Sequence, residues 1–266
     1  MSWFDSHCHL KTFWEKGELS AVIQRAQNAS VLGMVTVGTS PKDWNIYSHL
    51  ATEYQEMVYY SIGLHPGYVD EYWEQNTKGL RSFWDKPLPP VAFGEIGLDY
   101  FRLPSEEGKR NRMIDNQKAA FTKQLEWAKE LDCPVIVHSR SAFDDCVNLI
   151  DASGLAWRNV VFHCFSEGAV QLNALLARGG VASFTGIVTF KNNDLLRQTL
   201  RLHPFEKLML ETDSPYLAPV PKRGKQNEPS YLSHIGEYLA ENLQINSCEL
   251  AAKTFRATRK FYRLPI

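Results

Sequence analysis

The sequence predicts an α/β protein of the (β/α)8 TIM barrel class, and three observations predict it. Eight short runs rich in β-branched and aliphatic residues alternate with stretches of helical periodicity, and strands that alternate with helices pair in parallel through right-handed crossovers. The 266 residues suit eight such units, with no stretch that reads as a linker, so residues 1–266 are expected to form one domain. Histidines and carboxylates fall late in several of the runs, where a parallel barrel carries its site. An open doubly wound sheet would also alternate, but no Gly-x-Gly-x-x-Gly opens a helix after an early strand.

Taken in order, Phe4 to Leu10 is the first strand. If it is extended, Asp5, His7 and His9 share one face, and two imidazoles two residues apart can reach one ion without bending the chain. Glu18 to Ala29 follows as a helix, with Leu19, Val22, Ile23 and Ala26 at helical spacing. Val31 to Val37 is a strand, and Pro41 opens a helix whose apolar face is Trp44, Tyr47, Leu50 and Ala51. Met57 to Leu64 is strand three, and Val69 to Trp84 is helical in part. Pro90 to Leu98 is strand four, followed by a polar loop from Asp99 to about Arg110, long enough to be a candidate for function. Arg112 to Leu131 is a long helix, Cys133 to His138 strand five and Ala142 to Ala152 a helix. Asn159 to Cys164 is strand six, Ala169 to Ala177 a helix, Gly180 to Thr185 strand seven, Leu195 to Leu202 a helix and Glu206 to Asp213 strand eight.

Composition removes several classes. Hydrophobic residues make up 44% of the chain, enough for a closed core. Lys and Arg number 29 against 30 Asp and Glu, so no global basic field exists to hold a long duplex, and any nucleic-acid contact must be local. The five cysteines are odd in number and hold no Cys-x-x-Cys pair. With an N-terminus that enters polar sequence directly, they argue for a reducing, cytoplasmic location. No apolar run approaches the ~20 residues a membrane helix needs.

The polar residues at the strand ends are His7, His9, His65, Glu95, His138, His163 and Asp213; His49, His203 and His234 lie elsewhere, on helices or loops. Each has a plainer reading, a hydrogen-bonded core histidine for His138 or turn chemistry for Asp213 before Ser-Pro. Together they need a common partner, because buried polar groups aimed at one place are costly when unpaired. Four imidazoles and two carboxylates exceed one tetrahedral ion and suit two divalent cations. The expected sets are His7, His9, Glu95 and Asp213 on one ion, and Glu95, His138 and His163 on the other, with Glu95 bridging. Imidazole-rich ligation favours zinc, manganese or iron over the oxygen-seeking magnesium, and the identity of the metal stays open between zinc, manganese and magnesium. Glu211, two residues deeper than Asp213, is expected to be ion-paired or hydrogen-bonded in the core.

Read in order, His7-Cys-His9, Gly63-Leu-His-Pro66, Gly94-Glu-Ile-Gly-Leu-Asp99, His138-Ser-Arg140, His163-Cys-Phe-Ser166, Glu211-Thr-Asp-Ser-Pro-Tyr216 and Arg223-Gly-Lys-Gln-Asn-Glu-Pro229 make the chain resemble the TatD-type metal-dependent deoxyribonucleases of the amidohydrolase superfamily. The resemblance implies a barrel with a binuclear centre that hydrolyses phosphodiesters, as a 3'-5' exonuclease on single strands, with the six metal positions at His7, His9, Glu95, His138, His163 and Asp213. Two departures stand out: Glu167 occupies a position where the family often has glycine, and Arg256 stands where its last helix often has asparagine.

The expected roles follow. Asp213 takes the proton of the attacking water, and Glu95 is catalytic as the bridge. His65 and Arg140 touch phosphate, Arg140 through its planar fork unless it pairs with a helix carboxylate. Arg223, with Lys222, Lys225 and Tyr216, forms a basic and aromatic platform or else a solvated loop. The expected partner is DNA, single-stranded or at its ends; no membrane is involved and the protein acts as a monomer. A small phosphoester, amide or ester metabolite is the alternative substrate, favoured by the neutral net charge and Glu167.

Overall fold

Local sequence decides where each element begins and stops. The computed structural model describes residues 1–265. Among them, the strands are β1 (Trp3–Cys8), β2 (Val31–Val37), β3 (Val58–Ile62), β4 (Ala92–Asp99), β5 (Val135–Arg140), β6 (Val160–Phe162), β7 (Val181–Phe184) and β8 (Met209–Leu210). Their order in the sheet follows the chain from β1 to β8, the parallel arrangement of the (β/α)8 barrel that the alternation predicts. The helices are α1 (Lys11–Glu15), α2 (Leu19–Asn28), α3 (Pro41–Glu53), α4 (Trp73–Asn76), α5 (Glu107–Glu130), α6 (Phe143–Ser153), α7 (Ala169–Arg178), α8 (Asp194–Leu200), α9 (Leu232–Leu243) and α10 (Ser247–Phe261). No helix among the described residues is long and apolar enough to cross a membrane.

The chain forms two compact units. The first comprises Met1–Thr36, Tyr54–Tyr59 and the chain from Cys164 onward; the second comprises Val37–Glu53 and Tyr60–His163.

In the first unit, β1 pairs with β2 and β7 with β8, both in parallel. Apart from the exposed Leu32 these strands bury both faces, and β1 does so although Asp5, Ser6 and His7 lie within it. Trp3 and Phe4 are almost wholly buried. Phe4 meets Phe255 of α10 edge-on, with ring centroids 5.7 Å apart. Trp3 packs so closely on α9 that a β-carbon at Gly236 would lie 2.2 Å from its ring, so glycine is the residue that lets helix and strand approach. Asn246 caps α10 by accepting hydrogen bonds from the amides of Cys248 (2.9 Å) and Glu249 (3.3 Å).

In the second unit, β4 pairs with β3 and β5, and β5 with β6. Gly97 of β4 has φ +143°, and a β-carbon there would stand 2.0 Å from the carbonyl oxygen of His138. Only glycine can supply both the dihedral and the clearance. The side chain of Gln124 on α5 bonds the amide and carbonyl of Leu64 at 2.7 and 3.2 Å, tying the end of β3 to the helix.

Several boundaries differ from the sequence reading, each for a local reason. Strand six ends at Phe162 rather than Cys164, because Cys164 takes φ +47°. Strand eight shrinks to two residues. Asp213 takes φ +52°, and the preceding Thr212 bonds the Asp5 carboxylate through its amide (2.9 Å) and hydroxyl (2.6 Å). The expected loop from Asp99 to Arg110 is shorter, since α5 starts at Glu107. The stretch after β3 breaks into 3-10 turns at Pro66–Tyr68 and Leu80–Asp85 around α4, and the short helix α1 is additional to the expected elements.

His203 carries a pH dependence of stability. It is buried; its Nε2 accepts from the amide of Ala182 at 3.3 Å and its Nδ1 donates to the carbonyl of Pro204 at 3.0 Å. Burial, despite the bond to Pro204, pushes its pKa down from 6.5 to about 4. Between those values the unfolded chain holds the proton and the folded chain does not, so stability is lost as pH falls through this window, by about 3 kcal/mol in full. Urea midpoints of wild type and His203→Gln should converge between pH 6.5 and 4. Parallel curves would show that the ring is not held neutral.

Candidate metal centre

Strand ends bring the candidate residues together in two sets, one within each unit. In the second unit the set is built on one oxygen. Glu95 Oε1 lies 2.7 Å from His138 Nδ1, 2.8 Å from His163 Nε2 and 3.3 Å from His65 Nε2. Glu95 sits mid-strand in β4, His138 late in β5, His163 just past β6, and His65 three residues past β3. Burial alone would raise the Glu95 carboxyl; the charges of His163 and His65 and the bonds from His138 and His163 outweigh it and hold its pKa well below the usual range. The carboxylate is therefore ionised in a site that is 3% exposed.

The histidines around it are oriented by their other nitrogens. His65 Nδ1 accepts from the amide of Gly67 at 2.9 Å, so its Nε2 carries the proton that faces Glu95. Burial lowers the pKa of His65, against the pull of Glu95. His138 is caught between two carboxylates, with Nε2 3.1 Å from Asp99 Oδ2. Burial would lower its pKa, but Asp99 and Glu95 together raise it. Asp99 has no place among the residues picked from sequence, yet the signal is there: on β4 it follows Glu95 and Gly97 at period two and so shares their face.

In the first unit, His7 on β1 and His9 just beyond it bring their Nε2 atoms 3.3 Å apart. Both face Asp213 Oδ1, at 3.7 and 3.4 Å. Asp213 is fixed by its amide, which donates to the carbonyl of His7 at 2.9 Å. Asp5, expected on the same face as the two histidines, braces them instead of joining them. Its carboxylate accepts from Thr212 twice and from the amide of His7 at 3.3 Å. Burial pushes its pKa up to about 8 despite those bonds. Glu211 has the core role expected of it, accepting from Ser183 Oγ (2.6 Å), Ser6 Oγ (3.4 Å) and the amide of Cys164 (2.6 Å).

The donor sets fit cations. His65, Glu95 and His138 bring one nitrogen or carboxylate oxygen each within 4.8 Å of one another, and His65 would ligate an ion only by giving up its Nε2 proton. Two imidazole nitrogens at 3.3 Å beside one carboxylate oxygen, as in His7, His9 and Asp213, likewise present lone pairs to a common point.

The residues expected to touch substrate are less uniform. His65 stands inside the Glu95 set, as described. Arg140 is exposed, with its guanidinium 3.8 Å over the ring of Phe101, and its side chain makes no hydrogen bond or ion pair among the described residues, so the helix carboxylate pairing is absent. Arg223 lies 3.8 Å over Phe190 and Lys222 5.3 Å over Tyr231, so the basic loop finds rings other than Tyr216. Tyr216 itself is 62% exposed, with its ring 6.3 Å from that of His9. Glu167 is half-buried in the turn before α7.

Sets of histidines and carboxylates at the strand ends of a (β/α)8 fold define the metal-dependent hydrolases, and the comparisons with known proteins agree. The chain belongs to the TatD family: residues 4–263 match the model described as TatD related DNase. It is 34% identical over 264 residues, 98% of this chain and 94% of the relative, to the Escherichia coli (strain K12) protein called uncharacterized metal-dependent hydrolase YcfH. It is 31% identical over 266 residues to the 3'-5' ssDNA/RNA exonuclease TatD of Erwinia tasmaniensis, covering 98% of this chain and 100% of that one. Among solved structures it is similar to YjjV, a TatD homologue from Escherichia coli K12, with TM-score 0.89 and 28% identity over 99% and 98% of the two chains.

Proposed function

We propose that this metal-dependent hydrolase is a deoxyribonuclease that shortens single-stranded DNA from the 3' end. The observation that carries the reading is the convergence of three imidazole nitrogens on the ionised Glu95 carboxylate, together with the His7, His9 and Asp213 set. The family description and the activity in the name of the Erwinia tasmaniensis relative support the choice of substrate. His7, His9, Glu95, His138, His163 and Asp213 are the residues that would hold two divalent cations. The protein acts in the cytoplasm as a monomer.

Divalent cations bound there supply Lewis acidity, lowering the pKa of water and neutralising charge that builds on the phosphoryl oxygens. The chain's own groups do the rest. Asp213 accepts the proton of the attacking water at its carboxylate. Glu95 contributes a fixed negative charge that keeps the surrounding imidazoles in place. Arg140 offers its fork and His65 its ring N–H to nonbridging oxygens, Arg223 holds the strand further along, and burial of Glu95 and His163 excludes bulk water.

The test is hydrolysis of an end-labelled single-stranded oligonucleotide by protein stripped of metal and reloaded separately with magnesium, manganese and zinc. Stepwise shortening that requires metal is expected. Intact oligonucleotide under every metal, with the ions verified as bound, would transfer the reading to a small phosphoester, amide or ester substrate.

A further inference from the structure

We propose that Phe101, stacked on Arg140, is a platform for one base of a single-stranded nucleic acid, held in register with His138 by the carboxylate of Asp99. The inference rests on the nuclease reading and names the part of the substrate that the site reads.

Phe101 is 62% exposed, and the Arg140 guanidinium lies 3.8 Å over one face of its ring. With 62% of the residue exposed, much of the ring surface that Arg140 leaves uncovered is available to a planar partner. An exposed aromatic ring on a loose loop would carry little meaning, but this turn is held on every side. The amide of Phe101 donates to Asp99 Oδ1 at 2.9 Å, and the amide of Tyr100 donates to the carbonyl of Arg140 at 2.9 Å. The Tyr100 hydroxyl donates to Asp145 Oδ2 at 2.8 Å, and Lys118 pairs with the same oxygen at 2.7 Å. The Gln117 amide brackets Asp99, accepting from its N–H at 2.9 Å and donating to its carbonyl at 3.2 Å. Folding thus fixes a ring that it does not bury. Such preorganisation serves a ligand, because the ordering is complete before binding.

The two oxygens of Asp99 divide their work. Oδ1 holds the turn that carries Phe101, while Oδ2 meets His138 Nε2 at 3.1 Å. Asp99 and Arg140 stand opposite each other where β4 and β5 end, two residues beyond His138 on β5. One carboxylate therefore sets the distance between the stacking ring and a metal-binding imidazole. Arg140, whose side chain makes no hydrogen bond or ion pair among the described residues, can reach the phosphate of the nucleotide whose base lies on Phe101. A stacking platform accepts any base, since every base has a π face, and gains nothing from an aliphatic ester.

The measurement is a fluorescence titration of the full chain, as purified, with a phosphorothioate-linked oligonucleotide that resists cleavage and carries 2-aminopurine at each of its last positions in turn. Quenching at one position is expected on binding to wild type. Phe101→Ala should lose that quenching and bind roughly tenfold more weakly, and Phe101→Trp should restore both. An oligonucleotide abasic at the quenched position should bind wild type as weakly as the intact one binds Phe101→Ala. Wild-type quenching and affinity in Phe101→Ala, or no binding by wild type, would overturn the platform. Failure of metal-loaded protein to cut an ordinary oligonucleotide that it binds and quenches would instead overturn the nuclease reading and leave the platform standing.

Discussion

Glu95→Gln is expected to lower metal-dependent hydrolysis by at least ~10³-fold and to reduce the metal retained after dialysis. The change keeps the shape of the side chain and removes its charge. Three imidazole nitrogens face that one oxygen between 2.7 and 3.3 Å, so an amide would present them with a far weaker acceptor. The net effect of those rings is to hold the carboxyl ionised against the cost of burial, and an ionised oxygen in a dry site is what a cation needs beside neutral nitrogens. Metal analysis by mass spectrometry, run beside the oligonucleotide assay, separates loss of the ion from loss of chemistry. Full turnover with full metal content in the variant would remove Glu95 from the centre.

Asp213→Asn should separate the two functions of a carboxylate. Asparagine tolerates the left-handed backbone that Asp213 adopts at φ +52°, so the turn and the bond from its amide to His7 should survive. The amide oxygen can still approach the two rings, but it cannot take a proton at neutral pH. A turnover loss of ~10²- to 10⁴-fold, the range for removing a general base, is expected with most of the metal retained. Undiminished kcat with metal bound would exclude Asp213 as the proton acceptor.

The candidate metal ligands were legible in the sequence because position along a strand decides which groups can meet at a strand end. A histidine or carboxylate that falls at the end of an apolar run can be placed by counting, and His7, His9, His138 and His163 stand within two residues of a strand end, although β5 runs on past His138 and β1 and β6 stop short of His9 and His163. The groups that orient them were less legible. Asp5 was on the expected face, yet its bond to Thr212 joins residues 207 apart, a contact that no local periodicity encodes. Asp99 is within reach of the period-two rule, but it is also the first residue of the polar stretch that follows strand four, which masks its place on the strand. Strand eight was overextended because no glycine or proline interrupts Glu206 to Asp213, while the backbone at Asp213 takes φ +52° and its amide bonds the carbonyl of His7.

The two ligand sets differ in how much chain each requires, and this orders their appearance during synthesis. His65, Glu95, His138 and His163 are all present once the ribosome has passed residue 163. His7 and His9 emerge first of all, yet their partner Asp213 lies some two hundred residues later, and its amide must find the His7 carbonyl before that set exists. The residues of the Glu95 set are therefore all available to the folding chain while His7 and His9 still lack their carboxylate.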